Sequence, residues 1–371
     1  MSTFLDRLDE QTKKDLIEAV EARTLIPFVG TGVSKRTLKE ISTWLELIKK
    51  LLDAAKSEVE KGKLSEREYA RMLPYWGEGS YLTLAEILRY RLPQTIYLEV
   101  LNKTYDVNAS QPDELYGELF RLRAPYILTT NYDRLLENAY AKQYGEVPTV
   151  FTYKEAEAMR PIYEARRGKG ELPEHEGENT FIFKLLGSID RPTELIMTEI
   201  EYRRAMVGES KDPTLLADIF ATQNVLLIGF SEDDLELSVV LDNMSKFLQL
   251  HSTTPDWILL PEEAPAAAPA TETQEQKATG QNVGLASWFR RKSRKEESGA
   301  TVQNAAAPQA ERKEHEATLT FGQLRLEKIS YRKRIPFSKT GQPKDEMLEF
   351  IRALADYAPK PPTSPASPPK I

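Results

Sequence analysis

Short apolar runs alternating with longer amphipathic stretches organise this chain. Residues 24–29, 125–130, 180–184, 224–229 and 256–260 are each dominated by branched or aromatic side chains, and 323–331 sets Leu324, Leu326, Ile329 and Tyr331 among polar residues. Runs of this length, bounded by polar or glycine-containing turns, predict buried strands. Between them, residues 5–22, 133–142, 212–222, 234–250 and 345–357 repeat apolar positions at helical spacing. Several of these open on Asp, which suits a helix N-terminus both as a cap and electrostatically. Strands alternating with helices predict an α/β fold: a Rossmann-like, doubly wound parallel sheet covered on both faces. From about 35 to 122 the pattern is almost wholly helical, which predicts a helical subdomain inserted after the first strand. No internal repeat is evident.

Composition changes this picture at two places. Residues 261–317 are rich in Ala, Pro, Gln and Glu, and residues 358–371 hold six prolines. Segments with so few large apolar groups do not offset their ordering entropy, which predicts a disordered insert and a proline-rich disordered tail. The expected organisation is therefore a domain over 1–260, the insert, a last strand and helix over 318–357, and the tail. The 40% hydrophobic share of the whole chain is low for a globular protein, and these two segments account for it.

Charge and rare residues exclude several function classes. A net charge of −7 argues against a nucleic-acid partner, which needs a basic face. With no cysteine, the chain has no disulfides, thiolate nucleophiles or cysteine-bound zinc. His175, His251 and His315 lie too far apart in sequence for a local metal motif, so no metal is expected. The first residues lack the apolar core of a secretory signal, and no apolar run reaches the ~18 residues of a membrane span. The expectation is a cytoplasmic protein. The basic run 290–295, after Trp288 and Phe289, reads as a solvated linker charge, with an anionic surface or partner as the alternative.

Doubly wound sheets bind ligands at the carboxyl ends of their strands, so those ends carry the candidate chemistry. The first reads Gly30-Thr31-Gly32-Val33-Ser34, either a tight turn or a glycine loop that lets backbone approach a phosphate. The second reads Thr129-Thr130-Asn131-Tyr132-Asp133, whose plain reading is a helix start capped by Asn131. The third is Lys184-Leu185-Leu186-Gly187-Ser188-Ile189-Asp190, and the fourth Gly229-Phe230-Ser231. Ser231 suits a helix cap or a ribose hydroxyl.

In this order and spacing, the four strand ends resemble the sirtuin-like NAD-binding family, in particular its bacterial branch from antiphage defence systems. The resemblance runs from about residue 25 to 260 and resumes from 322 to 357. It implies that Gly30, Thr31, Gly32 and Ser34 cradle the NAD pyrophosphate. Asn131 would contact the nicotinamide-side ribose and position water, and Asp133 would bind the nicotinamide carboxamide. Gly187 and Ser188 would line the same pocket, and Gly229 and Ser231 would meet the adenosine ribose. The implied chemistry is hydrolysis of the nicotinamide–ribose bond. The implied partners are NAD or an ADP-ribose-type nucleotide, a second copy of the chain, or a defence-system protein.

Two departures qualify the resemblance. The four-cysteine zinc ribbon of the family's deacetylases has no counterpart in a cysteine-free chain. The family's catalytic histidine falls in Lys-Leu-His-Gly, where this chain has Leu186. Loss of general acid–base help typically costs about 10²–10⁴-fold in rate, so binding should survive better than turnover. His175 and His251 are poorly placed in sequence to substitute. The expectations are an NAD glycohydrolase or its weakened descendant, a pseudoenzyme that binds NAD as a sensor or scaffold, and a structural partner with a vestigial pocket.

Overall fold

A computed structural model of the chain describes residues 4–105, 107, 111–166, 180–205, 212, 214–231, 234, 237–238, 240–241, 255–261, 318–321, 324–331 and 345–359. One sheet contains β1 (Leu25–Val29), β2 (Tyr126–Thr129), β3 (Val150–Thr152), β4 (Phe181–Lys184), β5 (Asn224–Ile228), β6 (Asp256–Pro261), β7 (Thr318–Phe321) and β8 (Leu324–Tyr331). Their order is β3-β4-β2-β1-β5-β6-β8-β7. All pairings are parallel except β7, which adds an antiparallel edge to β8. This is the expected α/β architecture, with seven parallel strands.

The central strands β1, β2, β4 and β5 are buried along their whole length. A strand covered on both faces needs no polar alternation, which is why each appears in the sequence as an unbroken apolar run. Register brings their carboxyl ends level: Val29 lies opposite both Thr129 and Ile228, and Thr129 opposite Lys184. From β1 the chain first builds toward β2, β4 and β3, then crosses back to β5 and builds the other way. The strand order therefore reverses between β1 and β5, where open α/β sheets form a ligand crevice.

The helices are α1 (Glu10–Glu21), α2 (Thr31–Thr37), α3 (Trp44–Glu60), α4 (Glu66–Ala70), α5 (Leu73–Gly77), α6 (Tyr81–Arg91), α7 (Gln94–Tyr105), α8 (Glu114–Arg121), α9 (Leu135–Tyr144), α10 (Ala156–Arg166), α11 (Glu199–Arg203), α12 (Leu215–Thr222) and α13 (Glu346–Ala355). Helices α3 to α8 fill the chain between α2 and β2. Helix α13 packs on α8, where Arg352 pairs with Glu118 at 2.9 Å and Arg121 with Asp356 at 2.9 Å. Arg36 of α2 bridges Asp113 and Asp345, the residues that cap α8 and α13.

Several boundaries depart from the sequence expectation. The helix expected over 5–22 breaks at Asp9, whose carboxylate accepts the Thr12 N–H at 2.9 Å and caps α1. Phe4–Arg7 before it forms a separate 3₁₀ turn. The edge strands β3 and β7 have three and four residues, too few to show a period in sequence. Pro261, where the insert was expected to begin, ends β6 opposite Tyr331. Of the helix expected over 234–250, residues 237–238 and 240–241 are helical, and 242–250 lie outside the described residues. The three histidines, residues 262–317 with their basic run, and the tail beyond 359 also lie outside them.

Candidate functional site

At the switch point the β1 and β5 ends touch through backbone. Gly30 N–H donates to the Ile228 carbonyl and Gly32 N–H to the Gly229 carbonyl, each at 2.8 Å. A Cβ on Gly32 would stand 2.6 Å from that Gly229 oxygen, and one on Gly30 would stand 2.7 Å from the Phe230 ring. Gly229 has φ +79°, and a Cβ there would meet Val33 at 2.7 Å. The junction of β1 with α2, and the β5 end packed on it, therefore require these glycines quite apart from any ligand.

Beside this contact lies a buried polar cluster. Thr129 Oγ1 donates to the Val29 carbonyl at 2.7 Å and accepts the Asn131 N–H at 3.0 Å, fixing the turn that leaves β2. The Asn131 side-chain amide then donates to the Gly30 carbonyl at 3.1 Å and to Ser34 Oγ at 2.9 Å. Ser34 donates its own proton to Asp133 Oδ2 at 2.7 Å, so Tyr116, 3.2 Å away, is left to donate to Ser34. Complete burial, aided by the Asp133 charge, pushes the Tyr116 phenol well above its usual range and keeps it a donor. The Thr31 hydroxyl makes a long 3.5 Å contact to Asn131 Oδ1. Thr130 Oγ1 is buried with no hydrogen-bond partner among the described residues.

The expected cap is reassigned by this geometry. Asn131 does not cap α9; Asp133 accepts the Leu135 N–H at 2.9 Å instead. Asn131 is thus released from helix capping, and its amide turns toward the Gly30 loop.

The β4 end contributes a different chemistry. Lys184 is 1% exposed and pairs with Glu137 of α9 at 2.8 Å, itself 5% exposed. Its ammonium also donates to Ser188 Oγ at 3.2 Å and to the carbonyls of Tyr132 and Asp133. Leu186 is fully buried, and its carbonyl accepts the Ile196 N–H at 3.0 Å. Gly187 has φ +91°, and a Cβ there would press on Glu194 and Leu195. Ser231 is exposed, and its carbonyl accepts the Asp234 N–H at 3.1 Å.

Residues 125–284 match the family model of the SIR2-like domain. A search of curated proteins returns no match to the chain. A SIR2-like domain implies NAD binding, and its matched span holds Asn131, Asp133, Gly187, Ser188, Gly229 and Ser231. Gly30 and the first turn of α2 precede that span, yet they are tied to it by the Asn131–Gly30 and Ser34–Asp133 hydrogen bonds. Gly30, Thr31, Gly32, Ser34, Asn131 and Asp133 thus belong to one hydrogen-bonded cluster that meets Gly229. Gly187 and Ser188 join it through Lys184, whereas among the described residues the Ser231 side chain makes no hydrogen bond to it. Among the described residues, no group of three or more His, Cys, Asp or Glu is arranged to hold a metal. Among those residues, too, no helix is long and apolar enough to cross a membrane.

Tyr116, Lys184 and Glu137 are members of the site that the sequence reading did not select. Lys184 carries a visible signal, a cation closing the apolar run Phe-Ile-Phe. Tyr116 carries none, because its helix lies far from any strand-end motif in sequence.

Proposed function

We propose that this chain binds NAD across the carboxyl ends of β1, β2, β4 and β5 and hydrolyses its nicotinamide–ribose bond weakly. On this reading it is an NAD glycohydrolase of the bacterial antiphage-defence type, or a weakened descendant of one. It would act in the cytoplasm as a homo-oligomer or with a defence-system partner. The balanced reaction is NAD plus water giving nicotinamide, ADP-ribose and a proton. The observation that carries the reading is the switch-point cluster, in which Asn131 is held against the Gly30 carbonyl and Ser34 while Thr130, next to it in the chain, keeps a buried hydroxyl with no hydrogen-bond partner among the described residues. An uncharged hydroxyl suits a sugar hydroxyl or a carboxamide, and an orphaned buried one invites a ligand partner. What such a site supplies is orientation, exclusion of water and stabilisation of developing positive charge.

The burial of Leu186 favours a second reading, a protein that binds NAD without turning it over. A leucine neither accepts a proton nor bonds a ribose hydroxyl. Calorimetry with NAD, followed by chromatography for released nicotinamide, separates the two on the wild type, Leu186→His and Asn131→Ala. Wild-type turnover that vanishes in Asn131→Ala supports the enzyme. Binding without turnover, with activity gained in Leu186→His, supports the binder. Absence of NAD binding in every oligomeric state overturns both.

A further inference from the structure

We propose that Lys184 is the positioning residue of this site: its buried ammonium, balanced by Glu137, holds the carbonyls of Tyr132 and Asp133 and so sets the turn that presents Asn131. Its bearing on a nucleotide rests on the NAD reading above. Its bearing on the turn does not.

Lys184 lies opposite Thr129 in the sheet, so its side chain leaves β4 beside the turn that leaves β2. There the ammonium has three protons and four oxygen neighbours: Glu137 Oε1, Ser188 Oγ and the carbonyls of Tyr132 and Asp133. An ion pair this buried is a poor stability device, because desolvation offsets most of the attraction and apolar residues of equal volume often pack as well. The second Glu137 oxygen, Oε2, is buried without a hydrogen-bond partner among the described residues, so the pair is not optimised for stability either.

What an apolar side chain could not do is bind carbonyls. The Tyr132 carbonyl belongs to the peptide joining Tyr132 to Asp133 and the Asp133 carbonyl to the next peptide, both ahead of α9. Fixing both orients these two consecutive peptides, and Asn131 and Asp133 flank Tyr132 directly. The same ammonium reaches Ser188, and Ile189 N–H donates to the Tyr132 carbonyl at 2.9 Å, so the β4 loop is stitched to the same turn. Lys184 thus couples two strand ends without touching the crevice residue it positions.

The test is the full chain carrying Lys184→Met alone and Lys184→Met together with Glu137→Leu. Amide hydrogen exchange is measured without ligand, and NAD affinity by calorimetry. The single variant leaves Glu137 a bare buried carboxylate and loses thermal stability. The double variant removes both charges and recovers it. Positioning by Lys184 requires that the Leu135 and Ile189 amides still exchange at least ten-fold faster in the double variant, with Val225 unchanged. It also requires NAD to bind at least ten-fold more weakly despite the recovered melting temperature. Exchange and affinity that recover together with stability overturn the proposal. So does a double variant that fails to fold, since the pair would then be a requirement of the fold. Faster exchange in the double variant of a chain that binds no NAD even as wild type upholds the positioning role and overturns the NAD reading alone.

Discussion

Gly32 donates its N–H to the Gly229 carbonyl at 2.8 Å, and a Cβ on Gly32 would stand only 2.6 Å from that same oxygen. The obstacle is backbone, so it cannot swing aside as a side chain tip would. Gly32→Ala must separate the β1 and β5 ends, at a cost of roughly 1–3 kcal/mol as for other overpacked sites. Gly229→Ala adds left-handed strain of about 1–2 kcal/mol at φ +79°. Urea denaturation should rank wild type above Gly32→Ala and Gly32→Ala above Gly229→Ala. Calorimetry should show NAD binding lost in both. A Gly32→Ala protein of wild-type stability would contradict the close approach.

Ser34 is the hub of the buried cluster, donating to Asp133 while it accepts from Asn131. Ser34→Ala strands the Asp133 oxygen and the Tyr116 hydroxyl together, each an unsatisfied buried group. The expected loss is about 1–3 kcal/mol. Tyr116→Phe removes the donor as well as its need for a partner, so it should cost less, about 0.5–1.5 kcal/mol. Chemical denaturation of the two variants checks the ranking. Equal costs would mean that Ser34 is not the shared acceptor.

The central strands are legible in the sequence because burial on both faces turns each into an uninterrupted apolar run. Residues 181–184 read as a strand without any partner in view. Edge strands escape because a three-residue stretch such as Val150–Thr152 has no period to read. The strand-end motifs are legible too, since Gly30 to Ser34 and Thr129 to Asp133 are each local in sequence. Their mutual arrangement is not. Nothing in the sequence tells that Gly32 packs on Gly229, that Ser34 is sealed inside, or that Tyr116 completes it from a helix 82 residues away. The capping role given to Asn131 fails for the same reason: Asn and Asp both suit a helix start, and only the tertiary contact with Gly30 decides between them.

Arg36, in the α2 helix that Gly30 caps, joins that helix to the caps of two others distant in sequence. Its guanidinium reaches Asp113 at 2.9 Å and both oxygens of Asp345, with all three side chains more than four-fifths buried. Arg36→Met removes the guanidinium shared by two largely buried carboxylates and should cost about 3–5 kcal/mol. Both aspartates retain their cap hydrogen bonds, to Leu115 and Leu348, so the helices themselves should persist. Far-ultraviolet circular dichroism at 20 °C should therefore be near wild type while the urea midpoint falls sharply. A midpoint within error of wild type would show that solvent already screens the network.

Asp256 opens β6 with one carboxyl oxygen accepting the Val225 N–H at 2.8 Å and the other buried without a hydrogen-bond partner among the described residues. Burial first, and the negative Glu327 besides, push its folded-state pKa well above the usual 3.8; only the Val225 bond opposes them. The folded protein therefore holds this proton more tightly than the unfolded chain does. Stability from that proton is fully present below the unfolded pKa near 4 and is lost as pH rises toward the folded value. Asp256→Asn keeps the oxygen that accepts from Val225 and removes the titration. Its melting temperature should equal that of wild type near pH 4 and exceed it by several degrees at pH 8. Glu327, also raised by burial, titrates in both proteins, so the difference between their pH profiles reports Asp256. A difference that stays constant from pH 4 to pH 8 would show that the carboxyl is solvated after all.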